Sequence, residues 1–167
     1  SYIDLTLDTL RDFGIVIEER ATNEFFIRGN QSFAFSKATV EGDWSNAAFL
    51  LALNLLGGEL TVSGLNGESR QGDSVCLSLF EALLGENPTI DLSDCPDLAP
   101  VLFALAAKMG GARFIGTARL KIKESDRAAA MAAELKKFGT SVTVYDDTVV
   151  VYPASFHAPS EALDGHN

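Results

Sequence analysis

The chain has 167 residues, 47% of them hydrophobic, and a mean hydropathy of +0.13, enough to bury a sizeable core and to exclude bulk disorder. A net charge of −10 and a pI near 4.5 disfavour nucleic acid and anionic membrane as partners, because both would repel it. Cys76 and Cys95 have no CxxC partner and no histidine at ligand spacing, which argues against a zinc site or a disulfide framework and for reduced, cytoplasmic thiols.

In chain order, a first helix closes at Leu10-Arg11-Asp12-Phe13-Gly14, and Ile15–Glu18 with Phe25–Arg28 form a hairpin across a polar break. Phe33–Gly42 has no helical period and reads as a crossover between two units. Trp44–Leu56 is an almost wholly apolar helix, expected to be buried on most sides. Its longest apolar stretch is about half the ~20 residues of a membrane helix, and the N-terminus shows no basic-then-apolar signal. Gly57-Gly58 ends this helix, and Leu60-Thr61-Val62 is predicted to follow as a strand. A polar loop leads to Asp73, near the start of a further helix that closes at Gly85.

Pro96–Met109 is a second apolar helix, closed by Gly110-Gly111 and feeding the strand Arg113–Ile115. Ala128–Phe138 alternates alanines with Glu134, Lys136 and Lys137 and should show one face to water. Ser141–Tyr145 and Val149–Tyr152 then flank Asp146-Asp147 as a hairpin. The order helix, double glycine, strand, acid, closing glycine occurs twice at an offset of about 53 residues, which marks an internal repeat. Strand–helix alternation with short connections favours an α+β fold, α/β layered, over a bundle or a sandwich. Residues 1–39 are assigned to one unit and 40–154 to another, with 155–167 an unpacked tail.

Five of the thirteen basic residues, Arg113, Arg119, Lys121, Lys123 and Arg127, fall within fifteen positions. They make either an anion site or a strand edge protected by charge, and composition leaves both open. Asp94-Cys95-Pro96-Asp97 and Lys123-Glu124-Ser125-Asp126-Arg127 both put carboxylates at helix starts, where acids also serve as caps or partners of the helix dipole. If the later helix begins by Lys123, then Lys123 and Arg127 share a face. Equivalent loops of a repeat lie at the same end of a fold, so a carboxylate would meet a carboxylate flanked by cations. Such a set suits proton transfer to and from carbon in a phosphorylated or carboxylated substrate.

KIKESDR at 121–127, followed by a helix ending Leu-x-x-Phe-Gly, resembles the Lys-Glu-Ser-Asp-Arg signature of the 3-phosphoshikimate 1-carboxyvinyltransferases (EPSP synthases). VEGDWSNAAFLLA at 40–52, SRQGD at 69–73, DCPDLAP at 94–100 and YIDLTL at 2–7 are similar to the same family and stand in its order. The resemblance implies βαβαββ repeat units of the inside-out α/β barrel, the enolpyruvyl transferase fold. Residues 1–39 would then hold part of the last unit of the first domain and the crossover, and 40–154 two units of the second. It also implies transfer of enolpyruvyl from phosphoenolpyruvate to the 5-hydroxyl of shikimate 3-phosphate, releasing phosphate, on the route to chorismate and the aromatic amino acids. No metal or organic cofactor is expected, and the full-length parent is expected to be a cytoplasmic monomer.

By the same resemblance, Asp97 would contact the shikimate hydroxyls and accept a proton, and Glu124 would protonate and deprotonate the methylene carbon. Lys123 would bind near the target hydroxyl, Arg127 would hold the phosphoenolpyruvate carboxylate, and Tyr2 would contact shikimate 3-phosphate. Arg119 stands where other members carry a substrate-touching asparagine. The family's remaining substrate motifs are absent, so Ser1 and Asn167 read as cut points, the isolated chain as an inactive fragment, and His157 and His166 as tail residues. The rival readings are a catalytically silent fragment or interaction module, an enolpyruvyl transferase acting on UDP-N-acetylglucosamine, which lacks the KESDR run, and an RNA 3′-phosphate cyclase, which the acidic charge opposes.

Overall fold

The computed structural model describes residues 2–34, 37–159 and 161–166. Ser1 and Asn167, the expected cut points, and Phe35 and Ser36 of the expected crossover lie outside the described residues. Helix α1 (Tyr2–Asp12) carries Thr6 and Thr9, whose hydroxyls donate to the carbonyls one turn back, and it leads into the hairpin β1 (Ile17–Ala21) and β2 (Glu24–Ile27). The chain then returns along α1: Gln31 bonds both backbone groups of Val16, and Phe33 meets the Phe13 ring edge-on at 6.1 Å.

The rest of the fold grows around α4 (Ala99–Met109). Val101, Leu102, Phe103, Leu105, Ala106 and Ala107 are all buried, and Phe103 stacks at a tilt on Phe114 with ring centroids 4.7 Å apart. Burying one such phenylalanine contributes about 1.5–3 kcal/mol. Phe114 belongs to β4 (Ala112–Ile115), one of four strands ordered β3 (Thr89–Asp91), β4, β6 (Thr148–Val151), β5 (Val142–Val144). β3 runs parallel to β4, and the other neighbours are antiparallel. Helices α4 and α5 (Arg127–Lys137) lie side by side against this sheet, while α2 (Trp44–Leu55) and α3 (Cys76–Ala82) pack beyond α4. The fold is α+β, and its chain order from residue 89 is β3, α4, β4, α5, β5, β6.

Three expectations need correction. Helix α2 is not buried on most sides: Trp44, Ala47, Ala48 and Ala52 face α3 and α4, but Phe49, Leu50, Leu53 and Leu56 are about half exposed. Small alanines let the helix sit close to its neighbours, and no described element covers the opposite face. Residues 60–62 form no strand, because the Asn54 side chain takes both backbone groups of Leu60, accepting from its N–H at 2.7 Å and donating to its carbonyl at 2.8 Å. Asp94 does not cap the turn Pro96–Leu98, whose cap position is held by Cys95 without a side-chain bond.

The tail beyond residue 154 is exposed but not unpacked. Phe156 stacks on Phe138 at 5.6 Å, Lys137 donates to the Ala162 carbonyl, and Glu134 receives Asp164 N–H and pairs with His166. The regular amphipathic face of α5 thus gives the tail an anchor that its own loop-like composition does not suggest. No helix of the described residues is long and apolar enough to cross a membrane.

Candidate active site

Two helix starts converge with the N-terminal helix. Pro96, with its fixed φ and no N–H to lose, opens the turn Pro96–Leu98 that runs into α4, and Asp97 sits in that turn. Asp126 caps α5 by accepting from Ala129 N–H at 3.0 Å. The cap fixes Arg127 at the first helical position and leaves Lys123 in extended backbone. Lys123 and Arg127 therefore do not share a helix face, because the helix begins at Arg127. They meet on Asp97 instead.

Lys123 Nζ lies 3.2 Å from Asp97 Oδ1, and Arg127 Nη1 donates to the same oxygen. The other oxygen, Oδ2, accepts from the Tyr2 hydroxyl at 3.3 Å. Arg127 also pairs through Nη2 with Glu124 Oε2 at 2.9 Å. Asp97, Lys123 and Arg127 are each about three-quarters buried, whereas the Glu124 side chain is 71% exposed. Burial pushes the Asp97 carboxyl up, but the hydrogen bonds and charges of Arg127 and Lys123 outweigh it and hold the group below the usual carboxylate range. The Glu124 carboxyl is lowered too, first by its own backbone N–H and then by Arg127.

Of the expected site residues, the structure brings Tyr2, Asp97, Lys123, Glu124 and Arg127 together. Arg119 stands apart: its guanidinium donates to the Ser93 carbonyl at 3.3 Å, at the start of the loop that leads to Asp97. Lys121 is drawn off by Asp146 at 3.1 Å, and Arg113 lies in β4, inside the sheet rather than at its edge. The basic cluster of the sequence thus reduces at the site to Lys123 and Arg127.

The sequence marks Asp73 only as a repeat position, but the structure sets it apart. Asp73 matches Asp126 in the repeat, yet Asp126 is a surface cap and Asp73 is 4% exposed. Gln71 holds the Asp73 loop by accepting from Trp44 N–H and donating to Glu41 and Gly42. Gly72 lets it touch the Asp97 loop: a Cβ there would come within 2.2 Å of the Asp94 carbonyl oxygen. Gly116, at φ +68°, allows a similar approach to Ser93 on the far side of the same loop. Beside these residues, an open cleft of about 1010 Å³ runs between α1 and the segments 37–45 and 66–71, with Tyr2 and Asp43 in its lining.

The family model described as EPSP synthase (3-phosphoshikimate 1-carboxyvinyltransferase) matches residues 1–166. The chain belongs to the EPSP synthase family. Among curated 3-phosphoshikimate 1-carboxyvinyltransferases, that of Clostridium acetobutylicum is 41% identical over 165 residues, a match covering 90% of this chain and 39% of the relative. The Clostridium kluyveri protein is 38% identical over 169 residues, covering 91% of this chain and 40% of the relative. A solved EPSP synthase from Acinetobacter baumannii shares the fold, with a TM-score of 0.56 over 89% of this chain and 40% of that one, at 23% identity. The chain spans about 40% of the length of the EPSP synthases it matches.

Proposed function

We propose that this chain is the part of an EPSP synthase that supplies Tyr2, Asp97, Lys123, Glu124 and Arg127 to the transfer of enolpyruvyl from phosphoenolpyruvate to the 5-hydroxyl of shikimate 3-phosphate, with release of phosphate. The observation that carries this reading is the convergence on one carboxylate of a tyrosine 95 residues away and an arginine 30 residues away. Such a set has two cations for anionic groups, one carboxylate to orient hydroxyls and a second carboxylate open to solvent.

In this reading Arg127 exchanges its bond to Glu124 for the phosphoenolpyruvate carboxylate. Glu124, relieved of its partner, takes up a proton more readily and gives it to the methylene carbon while the 5-hydroxyl oxygen bonds to the adjacent carbon. Asp97 takes the hydroxyl proton. Glu124 then removes a proton from the new methyl group as the carbon–oxygen bond to phosphate breaks, which restores the double bond and the acid. Lys123 stays beside the oxygen that changes charge, and Arg119, held by the Ser93 carbonyl, stands outside this set.

The wider architecture belongs to the same proposal. Residues 1–39 are part of the last βαβαββ unit of one domain with its crossover, and residues 40–154 are two units of another, in the inside-out barrel arrangement. The full-length parent works as a cytoplasmic monomer without metal or organic cofactor, and the isolated chain, holding a fraction of the substrate shell, does not turn over. The test is a chimaera in which this chain replaces the matching 39% of the Clostridium acetobutylicum relative. It should release phosphate from the two substrates, and Glu124→Gln should lower kcat by roughly 10²–10⁴-fold. A folded chimaera that releases none with Glu124 intact, or one that Glu124→Gln leaves unchanged, would overturn the proposal.

A further inference from the structure

Arg70 reaches from the segment 69–73 to α1, where its Nε lies 2.8 Å from Asp8 Oδ2. Arg11, one turn further along the helix, holds the other oxygen of Asp8 at 3.2 Å. Among the described residues, the buried apolar cluster around α4 begins at Trp44 and takes in no residue before it; Leu7 and Ile15 are buried outside it. Apolar burial therefore does not lock α1 to that core. Polar side chains do so instead: the Tyr2 hydroxyl bonds Asp97 Oδ2 at 3.3 Å, and Asp8 pairs with Arg70.

Both ties lie on one face of the helix. Tyr2, Leu5, Asp8, Thr9 and Asp12 recur at helical spacing and line the same open cleft as Arg70. Tyr2 and Asp8 stand about 9 Å apart along the helix axis, so one tie leaves α1 free to pivot and two fix its direction. The far end of the second tie is firmly held. Gln71 accepts from Trp44 N–H and donates to Glu41 and to the Gly42 carbonyl, and Ser69 also donates to Glu41. Gly72 lies against the Asp94 carbonyl, on the loop that carries Asp97. Arg70 stands between these anchored neighbours and refers α1 to the frame in which Asp97 is set.

We propose that Asp8 and Arg70 are positioning residues, an ionic strap across the cleft that holds α1 so that the Tyr2 hydroxyl meets Asp97. The strap is an adjustable one. The Arg70 side chain is 63% exposed and that of Asp8 36%, so salt screens their attraction, and exposed pairs of this kind shift an equilibrium by about 1.4–5-fold. Ionic strength thereby sets how often Tyr2 is bonded at the site. The inference deepens the proposed function, in which Tyr2 contacts shikimate 3-phosphate, but the strap itself belongs to the chain without ligand.

The experiment follows the ¹³Cζ signal of Tyr2, which responds to hydrogen bonding of the phenol oxygen, in the ligand-free chain from 10 mM to 1 M salt, where the Debye length falls from about 30 to about 3 Å. The signal is assigned by its loss in Tyr2→Phe, with Tyr145 and Tyr152 as internal references. Asp8→Asn and Arg70→Ala should each move it at low salt to the value the parent chain reaches at high salt, and should remove its response to salt. The ratio of bonded to unbonded Tyr2 should fall about 1.4–5-fold in each variant, and no further in the double variant, because either change breaks the same pair. A Tyr2 signal that neither variant moves, a salt response that survives in both, or displacements that add would overturn the proposal. A flat salt curve in the parent chain would overturn it without any variant. Adding shikimate 3-phosphate separates the two readings: no binding at any salt concentration refutes the proposed function, while the Tyr2 signal still decides the strap.

Discussion

Arg127 does three things with one planar side chain: it opens α5, neutralises Asp97 and engages Glu124. A lysine could supply the charge but not two divergent N–H donors in a fixed plane. Truncating it leaves Asp97 with Lys123 and Tyr2 only, in a pocket where burial already opposes ionisation. Arg127→Ala should therefore raise the Asp97 pKa, read as an upward move of the midpoint of its carboxyl ¹³C titration. It should also return the Glu124 midpoint toward that of a free glutamate, since Arg127 contributes to its lowering. The identities and the pairing chemistry of these residues are legible in the string KESDR. What the string does not show is that Lys123 reaches Asp97 from extended backbone rather than from the helix, because the cap residue that decides the helix start, Asp126, lies between the two cations.

At the scale of elements, the closing glycines, the two apolar helices and both hairpins follow from local pattern, and the structure has all of them. Elements that depend on distant partners are less legible. Leu60-Thr61-Val62 has the composition of a strand, but a strand needs a neighbour to pair with, and one side chain, Asn54, occupies the backbone groups of Leu60 instead. Helix α2 reads as buried from its composition, yet only its alanine face meets α3 and α4. Asp73 and Asp126 occupy the same repeat position, and nothing in the pattern tells the buried acid from the cap; the signal was Gly72, whose missing side chain permits the close approach to Asp94. The cap itself gives a direct prediction. Asp126→Ala should cost about 1 kcal/mol in urea-induced unfolding, while Asp126→Asn, which keeps an acceptor for Ala129 N–H, should cost much less.

Over the whole molecule, the response to pH combines opposite contributions. Lys137 first, with His166 and the Asp164 amide, holds Glu134 down to about 2 from 4.5, so its contribution to stability is present above about pH 4.5 and lost as pH falls toward 2. Asp73 has the reverse sign. Its folded value is raised from 3.8 to about 6, so its neutral form favours the folded chain below about pH 4, and that contribution is lost as pH rises through 6. Glu134→Gln should thus flatten the acid limb of a stability profile measured by urea unfolding. Asp73→Asn, permanently neutral, should gain stability relative to the parent chain between pH 4 and pH 7.

We propose that Tyr2, Asp97, Lys123 and Arg127 already form a site for two anionic substrates in this chain. The measurement that tests it most directly is an amide chemical-shift titration with shikimate 3-phosphate and phosphoenolpyruvate, using Lys123→Ala and Arg127→Ala as controls. Shifts clustered at Tyr2, at Asp97 and from Lys123 to Arg127, and lost in the two variants, are the predicted result. A folded sample that shows no shifts at millimolar ligand, or shifts that persist in both variants, would contradict it.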